Sequence, residues 1–377
     1  MLKSKKSDLP FVVELASYLL VGTFAVSVMY LGQFLLVPLC FSVVFSVLLL
    51  PICRLFERFR FARVWAIIAT LLLVNFFLGF LLMFFGTQIT ILFSEVSNFK
   101  ENLERLFYEV LDFAARNLNI TNVQVLNAIR DNKGKLIQSG ANLLQSTMNT
   151  GGDFLTFGSL SIVFTFLILL YRTGFRTYIL LYFPEERRVS VNIIVNEIQA
   201  VIINYFQGVL LVMLIVGGLN SIGLYLLGIE YAFLFGFLGS LLTIIPYIGT
   251  TFGAGLPFVF ALINYQESWR ALGIIPMNLV IQQLEANFIT PKIVGGKVSV
   301  NALFAFIGLL VGGIFWGVAG MILAIPLTAI LKTVTYYIPQ TQKFSYLLSD
   351  DFPSKSFETY LLAYQKLKES QLAGEAK

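Results

Sequence analysis

Polar side chains collect in one short stretch of an otherwise apolar part of the chain. They are Gln282, Gln283, Glu285, Asn287 and Thr290. Glu285 is the most informative of them, because an acidic side chain in an apolar helix is costly and usually functional. It could bind a coupling ion, carry a proton or pair with Lys292. Alternatively, it could lie at a membrane interface, where its cost is small. We expect the five residues to line a substrate or ion pathway.

Two runs broken by glycine and proline flank this stretch. Tyr231–Ile263 is split at Ile245–Gly249, and Asn301–Leu331 contains a series of glycines and one proline. The candidate hinge residues are Pro246, Tyr247, Gly249, Pro291, Gly295, Gly312, Gly313, Gly317, Gly320 and Pro326. Backbone freed by Pro and Gly at membrane depth needs protein or a water-filled cavity to satisfy it.

These runs predict two interrupted hairpins of opposite orientation, either re-entrant or fully spanning, with the polar stretch between them. Inverted-repeat transporters build a midplane site from such elements. A second interpretation remains open. The glycines recur at the spacing that lets two helices approach closely, for example Gly249 with Gly253 and Gly308 with Gly312, so the hairpins could simply be tightly packed.

The composition is that of a membrane protein. Of 377 residues, 57% are apolar and 12% charged, and the mean hydropathy is +0.82. A soluble fold needs roughly twice that share of charged residues. We therefore predict an all-α, polytopic integral membrane protein with about eight membrane segments, surrounded by the lipid bilayer. The net charge of +5 does not indicate a nucleic-acid partner, because Lys and Arg occur in short clusters beside apolar runs.

The residues for most enzyme chemistry are missing. The sequence has no His, and its two cysteines, Cys40 and Cys53, lie in or beside one apolar segment. This excludes a Ser-His-Asp triad and a Cys/His metal site. No P-loop or dinucleotide-binding glycine motif is present. The sequence therefore predicts a gradient-driven transporter with no cofactor or metal, and not an enzyme.

The apolar and basic segments predict a topology. Residues 11–52 are long enough for two spans, with a turn near Gly32-Gln33 and Pro38, and the arginines at 54–63 form a basic loop. Together with the N-terminal lysines, this loop places both ends of the hairpin in the cytoplasm. A third span runs from Val64 to about Phe93, and a fourth covers Asp153–Tyr171. Residues 190–206 predict an amphipathic surface helix before a fifth span.

Five regions follow from this layout. Residues 1–93 form a three-span region, and 94–152 an extracytoplasmic insert of amphipathic helices, either a solvated cap or an oligomerisation arm. Residues 153–228 hold two spans with a basic cytoplasmic loop, 229–335 the transport core, and 336–377 a cytoplasmic tail. Both termini are expected in the cytoplasm.

Three segments of the chain carry a family resemblance. Gln283–Gly295 and Gly312–Lys332 resemble the signature of the autoinducer-2 exporter family of permeases, and Ile245–Gly249 is similar to its other landmark. The match is distinctive over residues 205–335. Two positions depart from the family pattern: Thr250 and Ala302 stand where prolines are common, which could alter hinge stiffness or substrate preference.

The resemblance implies a permease of the bacterial cytoplasmic membrane and a homo-oligomer, with a pentamer as the suggested state. Family members are assigned to signal-molecule export or to sodium/proton antiport. We therefore expect a secondary transporter that exports or exchanges a small organic solute similar to autoinducer-2. The alternatives are a cation/proton antiporter that uses Glu285 and a membrane scaffold without transport activity.

Overall fold

The computed structural model describes residues 11–95, 156–244, 248–265, 268–293, 300–354 and 356–362. All regular elements in these ranges are helices, as predicted, and the isolated bridge between Val300 and Ser349 is their single strand-like pairing. Five of the helices are long and apolar enough to cross a membrane, and shorter apolar helices accompany them. The polytopic α-helical class is therefore confirmed. Nearly all of the predicted insert at 94–152 lies outside the described residues.

The helices are numbered in chain order. They are α1 Phe11–Leu31, α2 Gln33–Arg58, α3 Arg63–Glu95, α4 Thr156–Tyr182, α5 Glu185–Leu226, α6 Ala232–Leu242, α7 Ile248–Asn264, α8 Ser268–Leu284, a π-helical turn Glu285–Ile289, α9 Thr290–Ile293, α10 Ala302–Tyr337 and α11 Gln342–Leu348.

The predicted turn between the first two spans is wrong. Gly32 alone separates α1 from α2, and its φ of −84° and ψ of 5° do not reverse the chain. Helical hydrogen bonds continue on both sides of it, from the Gly32 amide to Val28 O (2.8 Å) and from the Leu36 amide to Gly32 O (2.9 Å). Glycine here produces a kink and not a loop. The predicted hairpin therefore no longer supports a cytoplasmic N terminus.

Helices α2, α3 and α4 form one bundle. Its core is a cluster of Cys53, Ile67 and Leu169, with one residue from each helix. At the end of the bundle, the Arg172 guanidinium donates two hydrogen bonds to the Glu57 carboxylate, at 2.7 and 2.6 Å. In this charge-assisted pair one guanidinium nitrogen reaches both carboxylate oxygens, and the pair ties α4 to α2 beside the basic turn.

Helix α5 is the spine of the second half of the chain. It is one continuous helix of 42 residues, so the predicted surface helix and fifth span are parts of a single element. Its N-terminal half packs against α2 and α10 through Ile202 and Tyr205. Its C-terminal half packs against α6, α7 and α8. The two broken runs therefore contact different halves of α5.

Helix α10 contains the predicted chain reversal. Trp316 and Gly317 leave helical geometry, and Gly317 has a φ of +58°, a left-handed value that glycine adopts at low cost. The two arms pack closely, with the Gly312 backbone against the Gly320 backbone. At the turn, the Trp316 indole donates to Met29 O at 2.9 Å.

The segment after α10 closes the base of this hairpin. The Asn301 amide donates to Leu348 O at 2.8 Å, and the Ser345 hydroxyl donates to Lys332 O at 3.0 Å. Ser345 also hydrogen-bonds to the Tyr360 hydroxyl at 2.8 Å. Both ends of α10 are thereby held by one short C-terminal segment.

Candidate functional site

The α6–α7 hairpin is held by glycines at close approach. A Cβ atom on Gly239 would lie 2.8 Å from the Gly253 Cα, and one on Gly249 would overlap the Thr243 backbone. Similarly, a Cβ on Gly217 of α5 would lie 2.6 Å from Ser240 Oγ. Small residues at these contacts allow backbone-to-backbone packing, which is a common way for membrane helices to associate.

Helix α8 runs into a π-helical turn at Glu285–Ile289, which the sequence analysis missed. In this turn the Thr290 amide donates to Glu285 O, five residues back. Pro291 follows at once, and its ring lacks an N–H and clashes with a carbonyl one turn earlier. The wider turn accommodates Pro291, and the chain continues as helix to Ile293. Such π turns recur at functional sites.

A small polar cavity lies between α5, α6, α7 and α8. Its volume is about 10 Å³, which is close to the minimum for one water molecule. Five polar side chains line it: Asn220, Thr243, Asn278, Gln282 and Glu285. Gly239, Gly249 and Gly253 form part of its wall, so the glycine contacts of the hairpin also shape the cavity.

Glu285 is the one acidic residue among those that line the cavity, and it is half-buried. Among the described residues it has no ion-pair partner, and Lys292 is exposed and not paired with it. The proposed Glu285–Lys292 ion pair is therefore wrong. A half-buried carboxylate beside amide and hydroxyl groups, with no cationic side chain paired to it in the described part of the chain, can bind a cation or carry a proton.

Gln283 and Asn287 lie on a different face of the same helical segment. Both are exposed, and the Asn287 amide donates to Gln283 Oε1 at 2.9 Å. They line a separate, open groove of about 290 Å³ with Leu284 and Phe288. The structure thus separates the predicted polar set: Gln282 and Glu285 face the cavity, whereas Gln283 and Asn287 do not.

The other predicted residues have mixed positions. Thr290 is half-buried and Pro291 exposed, and neither lines the cavity. The hinge residues of α10 do not reach it either, because α10 packs on the other half of α5. These residues are Gly312, Gly313, Gly317, Gly320 and Pro326. Pro246, Tyr247 and Gly295 lie outside the described residues.

Three cavity residues are not in the predicted pathway set: Asn220, Thr243 and Asn278. Asn278 could have been found, because it lies four residues before Gln282 and seven before Glu285, on one helix face. Thr243 ends α6 and joins the cavity only through the folding of the hairpin. No local pattern in the sequence indicates its position.

The chain matches one known protein family. The model of this family, described as "AI-2E family transporter", matches residues 19–340, which include every helix from α2 to α10. The chain belongs to the AI-2E family of transporters. The family is described as one of transporters and not of enzymes.

Individual relatives are named for transport. Two proteins of Bacillus subtilis (strain 168) that carry names of candidate transport proteins, YueF and YrrI, are 33% and 31% identical over 40% of this chain. "AI-2 transport protein TqsA" of Escherichia coli (strain K12) is 31% identical over 33% of this chain and 36% of its own length. The matched region spans 40% and 42% of the two Bacillus proteins.

Proposed function

We propose that this protein is a permease of the bacterial cytoplasmic membrane that moves a small solute through the cavity at Glu285. The main support is the convergence of one carboxylate, three amides and one hydroxyl from α5, α8, the π turn and the end of α6. Intramembrane acidic residues usually mark a substrate or ion pathway. The single name that specifies a substrate among the relatives cited, that of TqsA, supports autoinducer-2 as the solute class to test first.

The size of the cavity indicates which motion such transport requires. A volume of about 10 Å³ is far below the roughly 300 Å³ of the smallest usual ligand pockets. An organic solute therefore needs the α6–α7 hairpin to move away from α8. The π turn beside Glu285 is a suitable place for this, since the backbone there already departs from regular α-helix.

The same volume favours a second candidate, exchange of a monovalent cation for protons. The cavity as it stands has room for a single water-sized species, and Glu285 is the acidic group beside it. In this reaction the Glu285 carboxylate would bind the cation and the proton in alternation. The amides of Asn220 and Gln282 would supply further oxygen ligands.

One experiment tests both candidates. Wild-type protein and Glu285→Gln are reconstituted in vesicles, and flux is measured for autoinducer-2 and, separately, for protons driven by a sodium gradient. Glu285→Gln keeps the size of the side chain and removes its charge. We expect the wild type to show one of these fluxes and the variant to lose it while keeping its thermal stability. Full flux in Glu285→Gln would exclude the site. If the reconstituted wild type carried neither autoinducer-2 nor sodium-driven protons, both candidate substrates would be excluded.

We also propose that the basic turn between α2 and α3 and the C-terminal segment lie in the cytoplasm. The positive-inside bias supports this for the turn, since its arginines lie at 54, 58, 60 and 63. Arg172 and Arg176 lie in the second half of α4, and Arg172 contacts Glu57 beside this turn. Labelling of a cysteine introduced at Ser354, in intact cells and in inverted vesicles, tests the C-terminal side.

Finally, we propose that the protein forms a homo-oligomer. The family resemblance, which suggests a pentamer, is the first support for this. A second support is α1, whose described side chains are all exposed. The Trp316 indole of α10 donates a hydrogen bond to Met29 O of this helix. Another copy of the chain could cover this arm. Native mass spectrometry of the intact chain and of a chain that begins at Gln33 tests this: loss of the oligomer in the shortened chain is expected.

A further inference from the structure

The turn between α2 and α3 is closed by a Schellman motif. The Phe61 amide donates to Phe56 O at 3.3 Å, and the Arg60 amide donates to Glu57 O at 3.0 Å. The rings of Phe56 and Phe61 meet edge-on with centroids 5.9 Å apart, which is the apolar contact that usually accompanies this motif. The backbone of the turn is therefore fully specified.

Arg60 occupies the position in this motif that normally belongs to glycine. Its φ is +66°, and in the described residues only one other non-glycine residue, Tyr231, has a positive φ. A side chain with a Cβ costs free energy in this conformation, and glycine does not. An arginine at this position is thus unfavourable for folding of the turn, and a function of its guanidinium would account for it.

Two neighbouring arginines are already used for packing, but Arg60 is not. Arg63 donates to Thr173 Oγ1 at 3.0 Å and to Leu169 O at 3.1 Å, and Arg172 pairs with Glu57. The Arg60 guanidinium is exposed and has no hydrogen-bond or ion-pair partner in the described part of the chain. Arg54 and Arg58 are exposed as well. The turn therefore presents positive charge that the Glu57 carboxylate does not neutralise.

An open apolar groove begins at Arg60 and continues along the start of α3. Its volume is about 540 Å³, which is in the range of small-molecule sites. The side chains that shape it include Phe59, Phe61, Trp65, Ile68 and Leu72. Trp65 is 64% exposed and Leu72 65% exposed. The groove thus combines a cation at one end, a tryptophan beside it and an aliphatic floor beyond.

We propose that this groove binds one anionic phospholipid, with its phosphate on Arg60 and an acyl chain along Trp65 and Leu72. The order of these side chains along the groove matches the order of chemical environments across one leaflet of the membrane. Cations meet the headgroup, tryptophan lies at the interface, and aliphatic side chains meet the tails. A peptide or a nucleic acid would not match the aliphatic part of the groove, which faces outward from an apolar helix. Charge complementarity selects an anionic over a zwitterionic lipid.

Trp65 provides a direct measurement of occupancy. The chain has three tryptophans, so replacing Trp269 and Trp316 with Phe leaves Trp65 as the single fluorophore. This protein is reconstituted in phosphatidylethanolamine vesicles that contain either brominated phosphatidylglycerol or brominated phosphatidylcholine. We expect half-maximal quenching at a mole fraction of the anionic lipid about fivefold lower, the factor expected from one arginine near an anionic surface. Equal quenching by the two brominated lipids would mean that Trp65 contacts bulk lipid only, and this would overturn the proposal.

Two substitutions at Arg60 separate binding from folding. Arg60→Gln removes the charge, and Arg60→Gly also removes the unfavourable backbone conformation. Both substitutions should abolish the fivefold preference for the anionic lipid. In uncharged detergent, Arg60→Gly should melt at the same temperature as the protein with Arg60, or at a higher one. The matched control is Arg187→Gln, which removes an exposed arginine that does not line the groove.

The control and a competitor complete the test. Arg187→Gln should leave the preference intact. An equal loss in Arg187→Gln would show general charge attraction and would overturn a site at Arg60. Free glycerol phosphate should not restore Trp65 fluorescence. If it did so fully, the site would bind a soluble phosphate and not a lipid.

Discussion

Gln282 and Gln283 are adjacent and chemically identical, yet the structure gives them different roles. Gln282 is half-buried and lines the cavity with Glu285, whereas Gln283 is exposed and hydrogen-bonds to Asn287. We therefore predict that Gln282→Leu impairs transport and that Gln283→Leu does not. Each substitution removes one amide from the same helix at similar side-chain volume, so each variant is the control for the other.

The expected magnitudes follow from the two environments. A hydrogen bond to a charged group, or to an ion held by one, contributes about 1.5–3 kcal/mol. Loss of the Gln282 amide should therefore lower transport roughly ten- to a hundredfold, at about 1.4 kcal/mol per factor of ten. A hydrogen bond between amide side chains four residues apart on one helix contributes about 0.2–0.5 kcal/mol. Loss of the Gln283 amide should thus cost a factor of about three at most.

The assay is initial flux per reconstituted protein, with the solute or ion to which the wild type responds. Thermal midpoints of both variants are measured in the same detergent, so that loss of flux is not mistaken for loss of fold. Equal loss in both variants, or a larger loss in Gln283→Leu, would refute the assignment of the cavity. It would also restore the simpler interpretation that the whole polar stretch acts together.

Three further predictions concern the hairpins and the C-terminal segment. Gly253→Ala places a Cβ 3.2 Å from the Gly239 Cα and should reduce flux severalfold, whereas Gly255→Ala, which meets no atom within 4 Å, should not. Gly317→Ala should destabilise the protein by about 1–3 kcal/mol, seen as a lower thermal midpoint than that of Gly255→Ala. Burial raises the pKa of the Tyr360 hydroxyl to about 12, above the value of about 10 for an unfolded chain. The contribution of neutral Tyr360 to stability is therefore present below pH 10 and is lost as the pH rises through 12. Phenolate absorbance of the wild type, compared with that of Tyr360→Phe, checks this.

Much of the fold could be predicted because apolar length and interruption are written locally in the sequence. The position of α3, the start of α4 and the chain reversal within Ala302–Tyr337 follow from runs of apolar residues and from glycine spacing. The turn at Gly32 was wrong because glycine is compatible with both a kink and a loop. Local composition does not distinguish these, and the hydrogen bonds on either side of Gly32 decide it.

Only part of the candidate site could be predicted, because a run of polar residues does not show which face of a helix each side chain occupies. A stretch of polar residues indicates that something polar is near, but successive residues on a helix point about 100° apart. Gln282 and Gln283 therefore cannot share a face, and Asn278 shares one with Glu285. Counting by three and four would have separated these residues. It would not have found Thr243, whose position depends on the hairpin.

The two broken elements are unequal in function, although the sequence presents them as a pair. Helix α10 turns at Gly317, packs glycine on glycine and is held at its base by Ser345. Its interruptions therefore serve to pack the two arms of the hairpin. The α6–α7 hairpin also packs glycine on glycine, but its contact glycines Gly239, Gly249 and Gly253 form part of the wall of a polar cavity. Movement of α7 relative to α8 would therefore change the site directly, whereas the described residues of α10 do not line the cavity. The mobile element of the proposed transport cycle is for this reason α6–α7.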